Sequence, residues 1–229
     1  MSRQAAGSGA ARSPSGGGRL EEPATTVTDW VMAVCAGAWA ALLIADGQRR
    51  GPAGLATVVW GVAFAATALA ALLGGVVHGF QRRTGEVWAE RLWRTTVHAM
   101  TVASLALGAA AVLVFPSAWV RAVGLGVLAG KWIWVTARLV RNPGFRVALA
   151  DAAMSLALVL ALQGAAWWQD GAGSLPWIAA GVALSGAAAA IQAREIAPHP
   201  RFNHNDLFHI VQIGALWALY RGGLLLTAS

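Results

Sequence analysis

The stretch LATVVWGVAFAATALAALLGGVV, residues 55–77, carries no charged side chain and exceeds the roughly 20 apolar residues that an α-helix needs to cross the hydrocarbon of a bilayer. It reads as a membrane span. Apolar runs of the same kind occupy residues 27–45, 95–115, 119–140, 147–167, 175–193 and 206–226. The breaks between them hold DGQRRGP, HGFQRRTGEVWAERLWR, Pro116, RNPGFR, QDGAG and REIAPHPRFNHN, each with charge, glycine or proline that hydrocarbon does not accept. The expected fold is an all-α membrane protein, with seven transmembrane helices in residues 27–229. Residues 1–26 are rich in Ser, Gly, Ala and Arg without apolar periodicity and read as a disordered tail. The run after them lies too far along the chain, and is followed by too many others, to be a signal peptide.

Composition agrees. The chain of 229 residues is 57% hydrophobic and 12% charged, with a mean hydropathy of +0.58, whereas soluble domains carry about 25% charged residues. Seven spans leave no room for a soluble catalytic domain. The single cysteine, Cys35, excludes a disulfide framework and any cysteine-rich metal site. The net charge of +7 fits basic cytoplasmic loops and not nucleic-acid binding, since the short loops offer no basic surface element to track phosphates. No P-loop, GxSxG, HExxH or dinucleotide fingerprint occurs. Lys131 is the only lysine and lies outside the seventh span, so a retinal Schiff base there is excluded.

Lys and Arg retained on the cytoplasmic side set the orientation. The side of the N-terminus receives Arg3, Arg12, Arg19, Arg82, Arg83, Arg91, Arg94, Arg138, Arg141, Arg146, Arg194 and Arg201, against Arg49, Arg50, Arg121 and Arg221 on the other. The N-terminus is expected in the cytoplasm and the C-terminus outside. Tryptophans 30, 88, 93, 119, 167, 168 and 177 fall near span ends, as an interfacial aromatic belt requires. Gly126, Gly130 and SGAAAA at 185–190 permit close approach of helices.

Ionisable groups at membrane depth cost roughly 2.5–3.5 kcal/mol each on insertion scales and tend to mark functional sites. Here Asp29, His78, His98, Asp151, His204, Asp206 and His209 all fall toward the cytoplasmic ends of their spans. Histidine is the commonest neutral metal ligand, and three ligands with one open position make a catalytic zinc site, so a metal site is one expectation. The other is a set of helix-end residues at headgroup level, with Asp29 and Asp206 as first-turn carboxylates favoured by the helix dipole. His78 and His98 flank one connection and are expected to face each other. In RFNHNDLFHIVQIGALWALYRGG, residues 201–223, helical geometry puts Asn205 about 40° and Asp206 about 60° from His209, and His204 about 140° away. Gln212, one turn beyond His209, is placed to orient it.

With its seven spans, a histidine at the end of span two and NDLFHIVQIGALWALYRG in span seven, the chain resembles the CREST superfamily of membrane hydrolases, which includes alkaline ceramidases, hemolysin III and the adiponectin and progestin receptors. The resemblance implies a zinc ion held by three histidines, whose bound water attacks an amide or ester bond of a membrane lipid. His78 matches the family's span-two histidine and His209 the second histidine of its span-seven pair. Gly74 stands where the family has serine, Asn205 where it has the first span-seven histidine, and the third span has no acid, only Thr95, Thr96 and His98. On this reading His78, His209 and one of His204, His98 or Asp206 hold zinc, while Asp206 or Asp29 moves the proton.

Two other classes share these residues. Histidines on facing helices can ligate a b-type haem, with His78 or His98 opposite His209. A transporter or channel is the second, resting on Lys131 inside the fourth span; that lysine either snorkels or pairs with Asp151 at similar depth. The excess of arginine over lysine, with abundant Ala and Gly, suggests a GC-rich bacterial genome and a bacterial plasma membrane.

Overall fold

The computed structural model describes residues 20–171, 173–199 and 202–226. They form seven α-helices: α1 (Pro23–Arg49), α2 (Leu55–Thr84), α3 (Glu86–Leu113), α4 (Ala118–Arg141), α5 (Phe145–Asp170), α6 (Leu175–Ala193) and α7 (His204–Leu224). The described residues include one isolated bridge, between His199 and Phe202, and no strand. The first six helices are long and apolar enough to cross a membrane. α7, at 21 residues, is not among these six; it carries Asn205, Asp206, His209 and Gln212 in its first turns and Arg221 in its last.

The helices overrun the expected spans. α1 starts at Pro23, inside the stretch read as tail, where a proline suits the first turn because no N–H is needed there. The reading of residues 1–19 lies outside the described residues. Most of the connection expected over residues 78–94 is also helical: α2 continues through His78 to Thr84 and α3 begins at Glu86. Gly85 alone separates them, at φ 76°, a left-handed conformation that glycine adopts without a Cβ clash.

Six helices close a ring in the order α1, α2, α3, α5, α6, α7 and back to α1, while α4 stands outside against α3 and α5. α1 buries Thr25, Asp29, Met32, Ala36, Ala40, Leu43 and Gly47, a three- and four-residue rhythm that puts them on one face. α3 turns in Ala99, Ala103, Ala106 and Ala110, small enough to bring backbones together. At one end of the ring Arg50 donates to the carbonyls of Leu224, at 2.7 Å, and Leu226, at 3.2 Å, capping the last turn of α7, and Trp60 Nε1 donates to the Leu219 carbonyl at 3.0 Å. A Cβ on Gly222 would stand 2.6 Å from Ile178 Cγ1, so glycine is what lets α6 lie this close to α7. Trp88, Trp119 and Trp168 stay exposed near helix ends.

α4 is held by a polar clasp. Lys131 Nζ donates to Asp151 Oδ1 at 2.5 Å and to Ser155 Oγ at 2.6 Å. The Asp151 side chain is 1% exposed and that of Lys131 20%. Asp151 and Ser155 sit on the inward stripe of α5 with Ala148, Val159 and Gln163, one turn apart, so one lysine reaches both. Removing one partner of a buried ion pair costs about 3–5 kcal/mol, whereas replacing both by apolar groups is often neutral. Lys131→Met and Asp151→Asn are each expected to lower the melting temperature in detergent markedly. The double variant Lys131→Met, Asp151→Leu is expected to recover most of that loss; equal melting of all three would show that the pair does not hold α4.

Candidate functional site

The inward faces of α1 and α7 meet at the end of the ring where the chain enters α1. Asp29 is 3% and His209 7% exposed. His209 is gripped from both sides: Nε2 lies 3.2 Å from Asp29 Oδ1 and Nδ1 lies 3.0 Å from Thr28 Oγ1. Thr28 Oγ1 in turn lies 3.0 Å from the Thr25 carbonyl, to which it can donate.

A hydroxyl has one hydrogen and a neutral imidazole one N–H, so the array has two self-consistent arrangements. In the first, Thr28 donates to Nδ1, and Nε2–H faces an ionised Asp29 at ion-pair distance. In the second, Nδ1–H donates to Thr28, Thr28 donates to the Thr25 carbonyl, and a protonated Asp29 faces Nε2. The two differ by one bound proton, and the imidazole keeps both of its contacts in each. The arrangement can therefore take up and release a proton without opening.

Asp206 has a different role. Its Oδ1 accepts from Thr25 Oγ1 at 2.8 Å and its Oδ2 from the Asn203 backbone N–H at 2.7 Å. Asn203 caps α7 through Asn205 N and Asp206 N, so the two residues form a capping box. With both oxygens engaged, Asp206 is a strut between the start of α7 and α1.

The other expected site residues find partners elsewhere. His78 Nδ1 lies 3.1 Å from Glu22 Oε2 at the rim. The segment before α1 lies across the end of α2, with Glu21 N donating to the Gly79 carbonyl at 3.2 Å and Arg82 N to Glu21 Oε1 at 2.7 Å. His98 Nδ1 lies 2.6 Å from the Arg94 carbonyl of its own helix, so His78 and His98 each have their own partner and are not paired with one another. His204 is the first residue of α7, and because the helix already includes it, it points away from His209. Asn205 Oδ1 accepts from Gln192 Nε2 at 2.9 Å, and Gln212 Nε2 donates to Ser185 Oγ at 3.3 Å. Both therefore tie α7 to α6, and Gln212 does not orient His209. At 100° per residue Asn205 and Gln212 lie about 20° apart, on the α6 side of His209. Lys131 and Asp151 pair with each other in the clasp described above.

The residues do not fit a three-histidine zinc as arranged. Both His209 nitrogens and both Asp206 oxygens are engaged and His98 turns back on its own helix. Among the described residues no group of three or more His, Cys, Asp or Glu side chains is placed to hold a metal ion. The sequence reading passed over Thr25, Thr28, Glu22 and Asn203. The available signal was TTVTD at 25–29, where Thr25 precedes Asp29 by one helical turn, and Asn203, three residues before Asp206.

No curated protein and no solved structure matches the chain. A family model described as a family of unknown function, DUF6962, matches residues 24–228, and the chain belongs to that family.

Proposed function

We propose that this chain is a membrane hydrolase that cleaves an ester or amide bond of a lipid, using Thr28, His209 and Asp29 in place of a metal. The observation that carries the reading is the His209 ring held between a hydroxyl at 3.0 Å and a carboxylate at 3.2 Å. A nucleophile, a base and a group that orients the base make up the activated-nucleophile arrangement. Because both ring nitrogens are engaged, Thr28 is the hydroxyl that His209 deprotonates. Thr28 Oγ attacks the acyl carbon while its proton passes to Nδ1, and Asp29 stabilises the imidazolium. That proton then goes to the departing alcohol or amine, leaving an acyl ester on Thr28. Water, deprotonated by His209, cleaves this ester to the free fatty acid and restores the hydroxyl. A site among helices near the headgroup level is reached laterally by lipid, which favours a lipid substrate over a soluble one.

General-base catalysis contributes roughly 100- to 10,000-fold, so His209→Ala and Thr28→Val are expected to lose at least 100-fold in fatty-acid release from a panel of lipid esters and amides in mixed micelles, followed by mass spectrometry. Thr28→Ser is expected to keep most of the rate. Full activity in His209→Ala, or no release by the wild type from any substrate, would overturn the reading. Dialysis against a chelator is expected to leave the rate unchanged; a loss restored by zinc would replace this mechanism with the metal-dependent one.

The same reading places the protein in a bacterial plasma membrane, with all seven helices crossing and the N-terminus in the cytoplasm. Support comes from the arginine asymmetry and from α7 packing along both α6 and α1. Alkaline phosphatase fused to the C-terminus in bacteria is expected to be active, and a fluorescent protein fused there dark; the opposite pair of results would place the C-terminus inside.

A further inference from the structure

Asp29 uses only one of its two carboxylate oxygens. Oδ1 meets His209, while Oδ2 is buried without a hydrogen-bond partner, in a residue only 3% exposed. A buried acceptor left unpaired is costly and asks for an explanation.

Across from it, α2 presents two successive glycines with different surroundings. A Cβ at Gly75 would stand 2.6 Å from Trp30 Cδ1 and Nε1 and 3.1 Å from Asp29 Cβ, so α1 and α2 are in full contact there. A Cβ at Gly74 would have atoms of the Asp29 carboxyl group as its three nearest neighbours, with Oδ2 closest at 3.4 Å, an ordinary contact distance. The side chain missing at position 74 thus leaves a niche with room for one methyl-sized group beside the unpaired oxygen. Beside it, an apolar groove of about 430 Å³ runs between α1 and α2, lined by Trp30, Ala33, Val34, Ala68, Leu69 and Leu72. Its Trp30 end adjoins Asp29 in sequence and packs on Gly75.

We propose that the niche between Gly74 and Asp29 is a binding site for a hydroxyl donor, which bonds Asp29 Oδ2 while any aliphatic chain it carries lies in the α1–α2 groove. The oxygen accepts, so the ligand group must donate; the niche is small, so the group is a single hydroxyl; the groove is apolar, so the remainder of the ligand is hydrocarbon. Two sources supply such a donor, a lipid alcohol and water. The inference rests on reading Asp29 and His209 as the reaction centre, where it assigns the second Asp29 oxygen to holding a hydroxyl group.

The test uses melting of the full chain in detergent with 1-dodecanol or dodecyl methyl ether, which differ only in the donor. Dodecanol is expected to raise the wild-type melting temperature and to act at concentrations at least 10-fold lower than the ether. Gly74→Ser, which carries its own hydroxyl into the niche, is expected to melt higher than Gly74→Ala and to lose the response to dodecanol; Asp29→Asn in the Gly74→Ser background is expected to abolish its advantage over Gly74→Ala. If water is the natural occupant, the alcohol and the ether act alike but the advantage of serine over alanine persists. Identical melting of the serine and alanine variants, together with no discrimination between alcohol and ether, would overturn the proposal. These readings need no turnover, so a failure of the hydrolase reading shows in the lipid assay and leaves them unaffected.

Discussion

Hydrocarbon supplies neither donors nor acceptors, so a polar side chain carried into a helical bundle must find its partner within the protein, on its own backbone or on a neighbouring helix. The rest of this structure depends on that constraint. Apolar contact alone fixes helix register poorly in a bilayer, because lipid tails are as apolar as leucine. The registers here are set by Asp29 with His209 and Thr25 with Asp206 between α1 and α7, by Gln192 with Asn205 and Ser185 with Gln212 between α6 and α7, and by Ser174, just before α6, with Gln163 of α5. Lys131 with Asp151 and Ser155 does the same for the outlying α4. The pairs range from 11 residues apart, for Ser174 with Gln163, to 181 apart, for Thr25 with Asp206, and together they link five of the helices into one polar framework inside an apolar shell.

The helical class was legible from residues 55–77 and the other apolar runs, since backbone hydrogen bonding in lipid leaves few alternatives. Helix ends were less legible: α1 begins at Pro23 and α2 runs past His78 to Thr84, because backbone hydrogen bonding carries a helix on past the end of its apolar run, through charged turns such as Gln81–Thr84. The polar residues worth examining were also legible, because Asp29, His209, Lys131 and Asp151 are conspicuous in apolar runs. Their partners were not. Spacing along α7 gives the angles between Asn205, His209 and Gln212 but says nothing of which neighbour each angle faces. Asn205 and Gln212 turn to α6 and His209 to α1, a division that depends on ring order and hence on tertiary packing. Thr28 was missed for a related reason: a threonine in a membrane helix usually bonds its own backbone, and this one also reaches across to a histidine.

The contrast between the two acids of the site follows from satisfaction of their oxygens. Asp206 has both oxygens committed to fixed donors, one of them a backbone N–H that cannot turn away, and so it holds position. Asp29 has one oxygen on a ring that can exchange donor and acceptor roles and one with no partner. Chemical capacity at this end of the ring is thus concentrated in the acid with the incomplete set of bonds, while its neighbour supplies the rigidity that keeps α7 in place.

The ring is joined between its first and last helices, and this seam has a consequence for biogenesis. Arg50, just after α1, caps the final turn of α7, and Asp29 meets His209, so neither bond can form until the last helix has left the ribosome. Until α7 is made, the Asp29 carboxyl group lies against α2 without its histidine. A nascent chain that stalls before α7 therefore carries an Asp29 that lacks its histidine, whereas in the finished chain only Oδ2 is left without a partner.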